Sequence, residues 1–150
     1  MSDDPNTEVT TASNSTAYVL FPLGKKRFAL PARVVTELAR PDRLHTFPHG
    51  TPTLSGVLVR RGCIIPVWDI AQVVIGAHGP ERRFYLVVNR RFDEATERTA
   101  IPVSGECELV SGEAIPPAGR LPQYVTSLLP LEKEIIEVLD LEILAQEGRA

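Results

Sequence analysis

From Tyr18 onward the chain consists of short apolar runs punctuated by glycine, proline and charged residues. Runs of this kind with β-branched and aromatic members read as strands, and the punctuation reads as turns. Tyr18-Val19-Leu20-Phe21 and Arg27-Phe28-Ala29-Leu30-Pro31 flank Gly24-Lys25-Lys26, which predicts a hairpin. Ala32 to Leu38 places Val34, Val35 and Leu38 at a spacing that a helical turn also satisfies, but adjacent β-branched residues favour a strand. Pro41, Pro48 and Pro52 predict a loop over Arg40 to Thr53, and strands follow over Leu54 to Leu58 and Gly62 to Trp68, with Arg60-Arg61-Gly62 at the turn. Phe84 to Val88 opens the second half, and Asn89 to Arg98 reads as a long charged hairpin loop.

The pattern repeats at an offset of 71 residues. Arg27-Phe28-Ala29-Leu30-Pro31 matches Arg98-Thr99-Ala100-Ile101-Pro102, and Glu37-Leu38 matches Glu108-Leu109. Ile64-Ile65-Pro66-Val67-Trp68-Asp69-Ile70 matches Ile135-Ile136-Glu137-Val138-Leu139-Asp140-Leu141, and Pro116, Pro117 and Pro122 take the place of Pro48 and Pro52. Two copies describe a duplicated small domain rather than a solenoid. Each half reads as about five strands with one Pro-rich loop, a size suited to a small closed or partly closed barrel. The expected division is a tail over 1–16 and a folded unit over 17–147, its lobes spanning roughly 17–80 and 81–147, with seams that attract ligands and partners.

Composition narrows the function. Acidic residues number 19 against 16 basic, and the net charge of −3 argues against a dedicated binder of nucleic acid or anionic membrane. The opening MSDDPNTEVTTASNSTA has no apolar centre, so it reads as a disordered tail and not as a secretory signal. The longest apolar stretch, Gly62 to Ala77, is broken by Pro66 and Asp69 and does not read as a transmembrane helix. Cys63 and Cys107, each in an apolar segment, read as small buried hydrophobes of a reducing compartment, which points to the cytoplasm.

The chemistry-bearing residues are few. His45 and His49 stand four apart, but Pro48 between them denies a shared helical face, so no metal site is expected; His78 is likewise a turn residue. Asp69 and Asp140 occupy equivalent strand ends, which reads as helix capping rather than as an acid–base pair. Ser55, Ser104 and Ser111 have no neighbouring His or Lys to activate them. No phosphate loop or metalloprotease motif is present, and the chain reads as neither an enzyme nor a cofactor binder. Glu81-Arg82-Arg83-Phe84-Tyr85 and Arg90-Arg91-Phe92 set cations beside aromatics, which keeps a β-barrel nucleic-acid-binding module as the alternative of another class. Asp93, Glu94 and Glu97 cancel that charge, and a solvated hairpin is the better reading. Glu37 and Arg61 both lie beside apolar segments where a bare charge is costly, so they are expected to pair with each other.

Taken in order, Phe21-x-Leu23-Gly24, Phe28-Ala29-Leu30-Pro31, Val35-x-Glu37-Leu38, Gly56-Val57, Arg61-Gly62-x-Ile64-Ile65-Pro66-Val67-x-Asp69 and Ile135-Ile136-x-Val138-Leu139-Asp140-Leu141 resemble the CheW-like domain. The likeness runs from about Tyr18 to Ala145, nearly the whole predicted fold. It implies an all-β fold with minor short helices: two five-stranded, SH3-like β-barrels around a shared core, the first strand a candidate to cross between lobes. It also implies a non-catalytic adaptor that couples the cytoplasmic tip of methyl-accepting chemoreceptors to the regulatory domain of a CheA-type histidine kinase, at the inner face of the membrane without inserting into it. By position, Val35, Glu37, Leu38, Gly56, Val57 and Leu58 fall on the partner-binding segments, and Arg61 falls on an arginine whose family role is structural, through Glu37. The chain departs from the family at Val59-Arg60, Ile70-Ala71 and Val103-Ser104, which leaves room for an adaptor of a type IV pilus or another chemosensory pathway.

Overall fold

Apolar runs rich in Val, Ile and Phe form ten strands over the residues that the computed structural model describes, 15–39, 54–76, 84–92 and 95–147. They are β1 (Thr16–Leu23), β2 (Lys26–Pro31), β3 (Val35–Ala39), β4 (Leu54–Arg60), β5 (Cys63–Trp68), β6 (Phe84–Phe92), β7 (Ala95–Val103), β8 (Glu108–Gly112), β9 (Val125–Pro130) and β10 (Ile135–Leu139). A 3-10 turn at Ala32–Val34 leads into β3, so the segment that admitted both a helical turn and a strand contains one of each. Two short helices, α1 (Ala71–Val74) and α2 (Leu141–Glu147), follow β5 and β10. The Pro-rich loop with His45 and His49, the turn with His78, the basic residues at 81–83 and positions 1–14 of the expected tail lie outside the described residues. Thr16, counted with the tail, already pairs with Gly112 in the sheet.

The strands form two five-stranded sheets, in the orders β8-β1-β2-β10-β9 and β3-β6-β7-β5-β4. Under the 71-residue shift these are one order. The shift also turns the parallel pair Ala29–Val138, between β2 and β10, into Ala100–Val67, between β7 and β5. The lobes are therefore not the consecutive halves 17–80 and 81–147. Each half lends its opening hairpin to the other half's sheet, so lobe one is β1 and β2 with β8, β9 and β10, and lobe two is β3 to β7. The exchange involves two strands, not the first strand alone. β5 and β10 are counterparts in the repeat, and each takes the central hairpin of the other half along its parallel edge.

A second expectation also changes. The charged stretch from Asn89 to Arg98 is not a long loop: β6 and β7 run through it in register, from Asn89 opposite Arg98 to Phe92 opposite Ala95. Arg90 stands opposite Glu97 in the register, and its guanidinium turns onto the Trp68 ring, so the ribbon continues without apolar alternation.

Strands at the centre of each sheet are covered on both faces, which explains their continuous apolar runs. Phe21, Phe28, Leu30, Leu86, Val88, Ile101 and Val103 point between the lobes and join Trp68, Tyr124, Leu139 and Leu144 in the shared core. Alternate residues fill the lobes: Tyr18, Leu20, Ala29, Leu129, Ile136 and Val138 in lobe one. Ala39, Leu58, Ile65, Val67, Tyr85, Val87 and Ala100 do so in lobe two. Both sheets are rolled. In lobe one, Ile115, just past edge strand β8, exchanges two backbone hydrogen bonds of 2.8 and 2.9 Å with Leu128 on the opposite edge, β9. Gly112 permits this approach, because a Cβ there would lie 2.8 Å from the Cδ1 of buried Leu129.

Candidate partner-binding surface

The surface is built on the two edge strands of lobe two. β3 and β4 lie at opposite ends of the sheet order, yet the roll brings Arg60 Nη2 to 3.2 Å from Glu37 Oε2. Both side chains are mostly covered, at 22% and 28% exposure, so the pair sits in the open end of the lobe as a clasp between unbonded edges. Glu37 thus pairs with Arg60, not with the expected Arg61. The reason is turn geometry: Arg61 and Gly62, with φ of 52° and 78°, are the two central residues of the β4–β5 hairpin, which turns Arg61 out to solvent. Arg60 is still in strand β4, opposite Cys63, with the parity of Leu58, whose side chain faces the lobe interior.

That parity divides the remaining partner-binding candidates. Leu58 is fully buried against Ala39, Ile65 and Val67, and Gly56 is buried as well, so neither belongs to a contact surface. Val35 is half-buried and packs on the shared core, and Leu38 is 39% exposed. Val57 is half-buried on the outer face, and its neighbours there are residues that sequence reasoning passed over. Val57 lies opposite Pro66, and Val59 lies opposite Ile64, which makes an apolar square on the outside of the β4–β5 hairpin. Val59 and Ile64 are 48% and 71% exposed. The available signal was the two-residue period of β4 and β5, but in a continuous apolar run the period does not say which parity faces out.

The capping candidates sit at equivalent places with different geometry. Asp140 Oδ1 accepts the Ile143 N–H at 3.0 Å, and the Asp140 carbonyl accepts the Leu144 N–H at 2.9 Å. This is an N-cap for α2. Asp69, buried, accepts the Ala71 N–H at 3.1 Å through Oδ1 and so holds the entry to the shorter α1. The cysteines differ from expectation in one case. Cys63 is exposed at the hairpin end, whereas Cys107 is half-buried, and burial pushes its thiol up to about 11.

The equivalent end of lobe one is charged. Arg27 donates through Nη1 to Glu108 Oε1 at 3.2 Å and through Nε to Glu134 Oε1 at 2.9 Å, and its Nη2 also meets Glu134. The hydrogen bond from Glu134 raises the Arg27 pKa further. Lys26 bonds Glu137 at 2.9 Å and lies 5.1 Å from the Phe28 ring centre. Between the lobes, Ser104 Oγ accepts the Gly24 N–H at 2.6 Å. Within lobe two, the Arg90 guanidinium lies 4.8 Å from the centre of the Trp68 ring. Among the described residues no group of three His, Cys, Asp or Glu side chains is arranged to hold a metal ion, and no helix is long and apolar enough to cross a membrane. What the site offers is complementarity: an apolar face, an internal ion pair and an outward cation.

Comparison with known proteins agrees with the fold. A family model described as the CheW-like domain matches residues 17–149. No curated protein matches the chain in sequence. Among solved structures, the scaffolding protein TtCheW from Thermoanaerobacter tengcongensis aligns with a TM-score of 0.72 at 17% identity, over 86% of this chain and 86% of that one.

Proposed function

The chain belongs to the CheW-like domain family, and on that premise we propose that it is a non-catalytic chemosensory adaptor, coupling chemoreceptors to a CheA-type histidine kinase at the cytoplasmic face of the membrane. The observation that carries this reading is the apolar outer face of the β4–β5 hairpin in lobe two, where Val59 and Ile64 are exposed beside half-buried Val57 and Pro66. Apolar side chains grouped in this way on a soluble surface mark a protein contact. The mechanism is positional. An adaptor that holds receptor and kinase in one assembly lets the state of one bias the other without chemistry of its own. Leu38 and Val57 are the contact residues retained from the family pattern; Glu37 supports them through its pair with Arg60, and Val35 anchors the strand of Leu38 to the shared core.

Calorimetric titration of the full chain against the intact kinase of the same cell tests the reading. Binding in the micromolar range, about −8 kcal/mol, is expected. No heat at about 100 μM protein overturns it. Leu38→Asp is expected to weaken assembly with receptor and kinase about tenfold while the melting temperature stays unchanged, as for a residue at a contact. Equal loss of folding and binding would place Leu38 in the core instead.

A further inference from the structure

We infer that the chain has a second folded form, a dimer in which two copies exchange halves, so that each body joins the first half of one copy to the second half of the other. The partner is a second copy of this chain, and the surface it fits is the one between the halves.

Within either half, the strands that pair are only the two arms of a hairpin: β1 with β2 and β4 with β5 in the first, β6 with β7 and β9 with β10 in the second. The other strand pairings among the described residues all join the halves: β1 to β8, β2 to β10, β3 to β6 and β5 to β7. Apolar burial follows the same division. Phe21, Phe28 and Leu30 of the first half meet Leu86, Ile101 and Leu139 of the second in the shared core. Inside lobe one, Leu20 and Ala29 lie with Leu129 and Ile136. Polar ties cross as well: Arg27 reaches Glu108 and Glu134, Lys26 reaches Glu137, and Ser104 exchanges hydrogen bonds with Gly24 and Pro22.

A half on its own is thus two hairpins and a lone strand with their apolar faces open, and isolated hairpins are marginal in water. Stability belongs to the pair of halves. A pair drawn from two copies brings together the same residues, so monomer and exchanged dimer differ only in the covalent tie, Ala77 to Arg83. Short connections of this kind are where exchange between copies begins. Such a tether presents each half to its own partner at an effective concentration on the order of 1 mM. Well below that concentration the chain closes on itself, and near it a second copy competes. Interconversion requires every pairing between the halves to break, so each form persists once made. The dimer carries the Val59–Ile64 face twice and is a bivalent version of that surface.

The test unfolds the unaltered chain in urea and refolds it at about 1 μM or about 1 mM, reading mass by light scattering after size exclusion. The low concentration is expected to return the 16.5 kDa monomer, and the high one a species of twice that mass. Diluted to about 1 μM without denaturant, this dimer is expected to persist for about a day or more, as unfolding is that slow. Unfolded again and refolded when dilute, it is expected to return to monomer. Val19→Cys with Leu109→Cys, opposite each other across β1 and β8, then reports which chain supplies each half, in a chain also carrying Cys63→Ser and Cys107→Ser. Oxidised, the exchanged dimer runs as a covalent dimer in detergent, whereas closed chains lying side by side run as monomers. Monomer alone at both concentrations, a dimer that dissociates on dilution, or cross-links confined to one chain each overturn the inference. The dilution arm needs no substitution and decides the matter even where the cysteine variant does not fold.

Discussion

In lobe one the central hairpin carries Lys26 and Arg27, and both are drawn into carboxylates from β8, β10 and the turn before β10. In lobe two the equivalent positions are Glu97 and Arg98, and among the described residues they make no comparable network. The strand order, the parallel crossover pair and the interior packing are the same in both. What differs is where charge is placed. Lobe one spreads it across an outer face, and lobe two withdraws its ion pair into the open end and leaves the outer hairpin apolar. The repeat supplies two copies of one scaffold, and they have diverged at a few outward positions.

The largest test of this comparison lies in the interiors. Leu58 and Leu129 are equivalent and fully buried, one in each lobe. Truncating either to Ala is expected to cost about 2–5 kcal/mol, and the two costs should agree within about 1 kcal/mol in urea melts. A much cheaper loss in one lobe would mean that the two are not packed alike.

Next in size are the ion pairs. The Glu37–Arg60 clasp is less than a third exposed, so Glu37→Ala or Arg60→Ala is expected to lower stability by about 1–2 kcal/mol. Arg27 and its carboxylates are 39–63% exposed, and Arg27→Ala should cost about 0.5 kcal/mol or less, fading with added salt. Thermal melts at two salt concentrations separate these outcomes. An Arg27 effect as large as that of Arg60 would erase the distinction drawn between the lobes.

The smallest effect concerns the thiols. Cys63 is open to reagent, and the half-buried Cys107 is pushed up from 9.0 to about 11 by desolvation. Because the folded state resists ionisation, the contribution of Cys107 to stability is whole below about pH 9 and is lost as pH rises toward 11. Iodoacetamide at pH 8 should label Cys63 and spare Cys107. Stability should fall between pH 9 and 11, with less of a fall in Cys107→Ala. Equal labelling of the two at pH 8 would contradict the burial of Cys107.

Much of the fold is legible in the amino-acid order alone. The hairpin around Gly24, the β5 strand with its closing Asp, and the pairing of each with a counterpart 71 residues on all follow from local chemistry, since turns and alternation are set by neighbours in the chain. The likeness to the CheW-like domain rests on the same ordered residues. The contact surface is only partly legible. Of the residues the pattern nominates, Leu38 is exposed and Val57 half-buried on the outer face, whereas Leu58 turns inward, and Val59 and Ile64, which it does not nominate, turn outward. A run that is apolar throughout does not reveal its own inside.

Strands, turns and the duplication are written into the chain locally, because each is decided by propensity and spacing within a few residues. The exchange of hairpins between the halves is not, since β5 and β10 are counterparts in the repeat and the choice between them is made by packing at long range. The choice of Arg60 over Arg61 as the partner of Glu37 is likewise a product of the folded chain. Two arginines one position apart are equivalent to a composition, but a rolled sheet and a left-handed turn aim one at the lobe interior and the other at water.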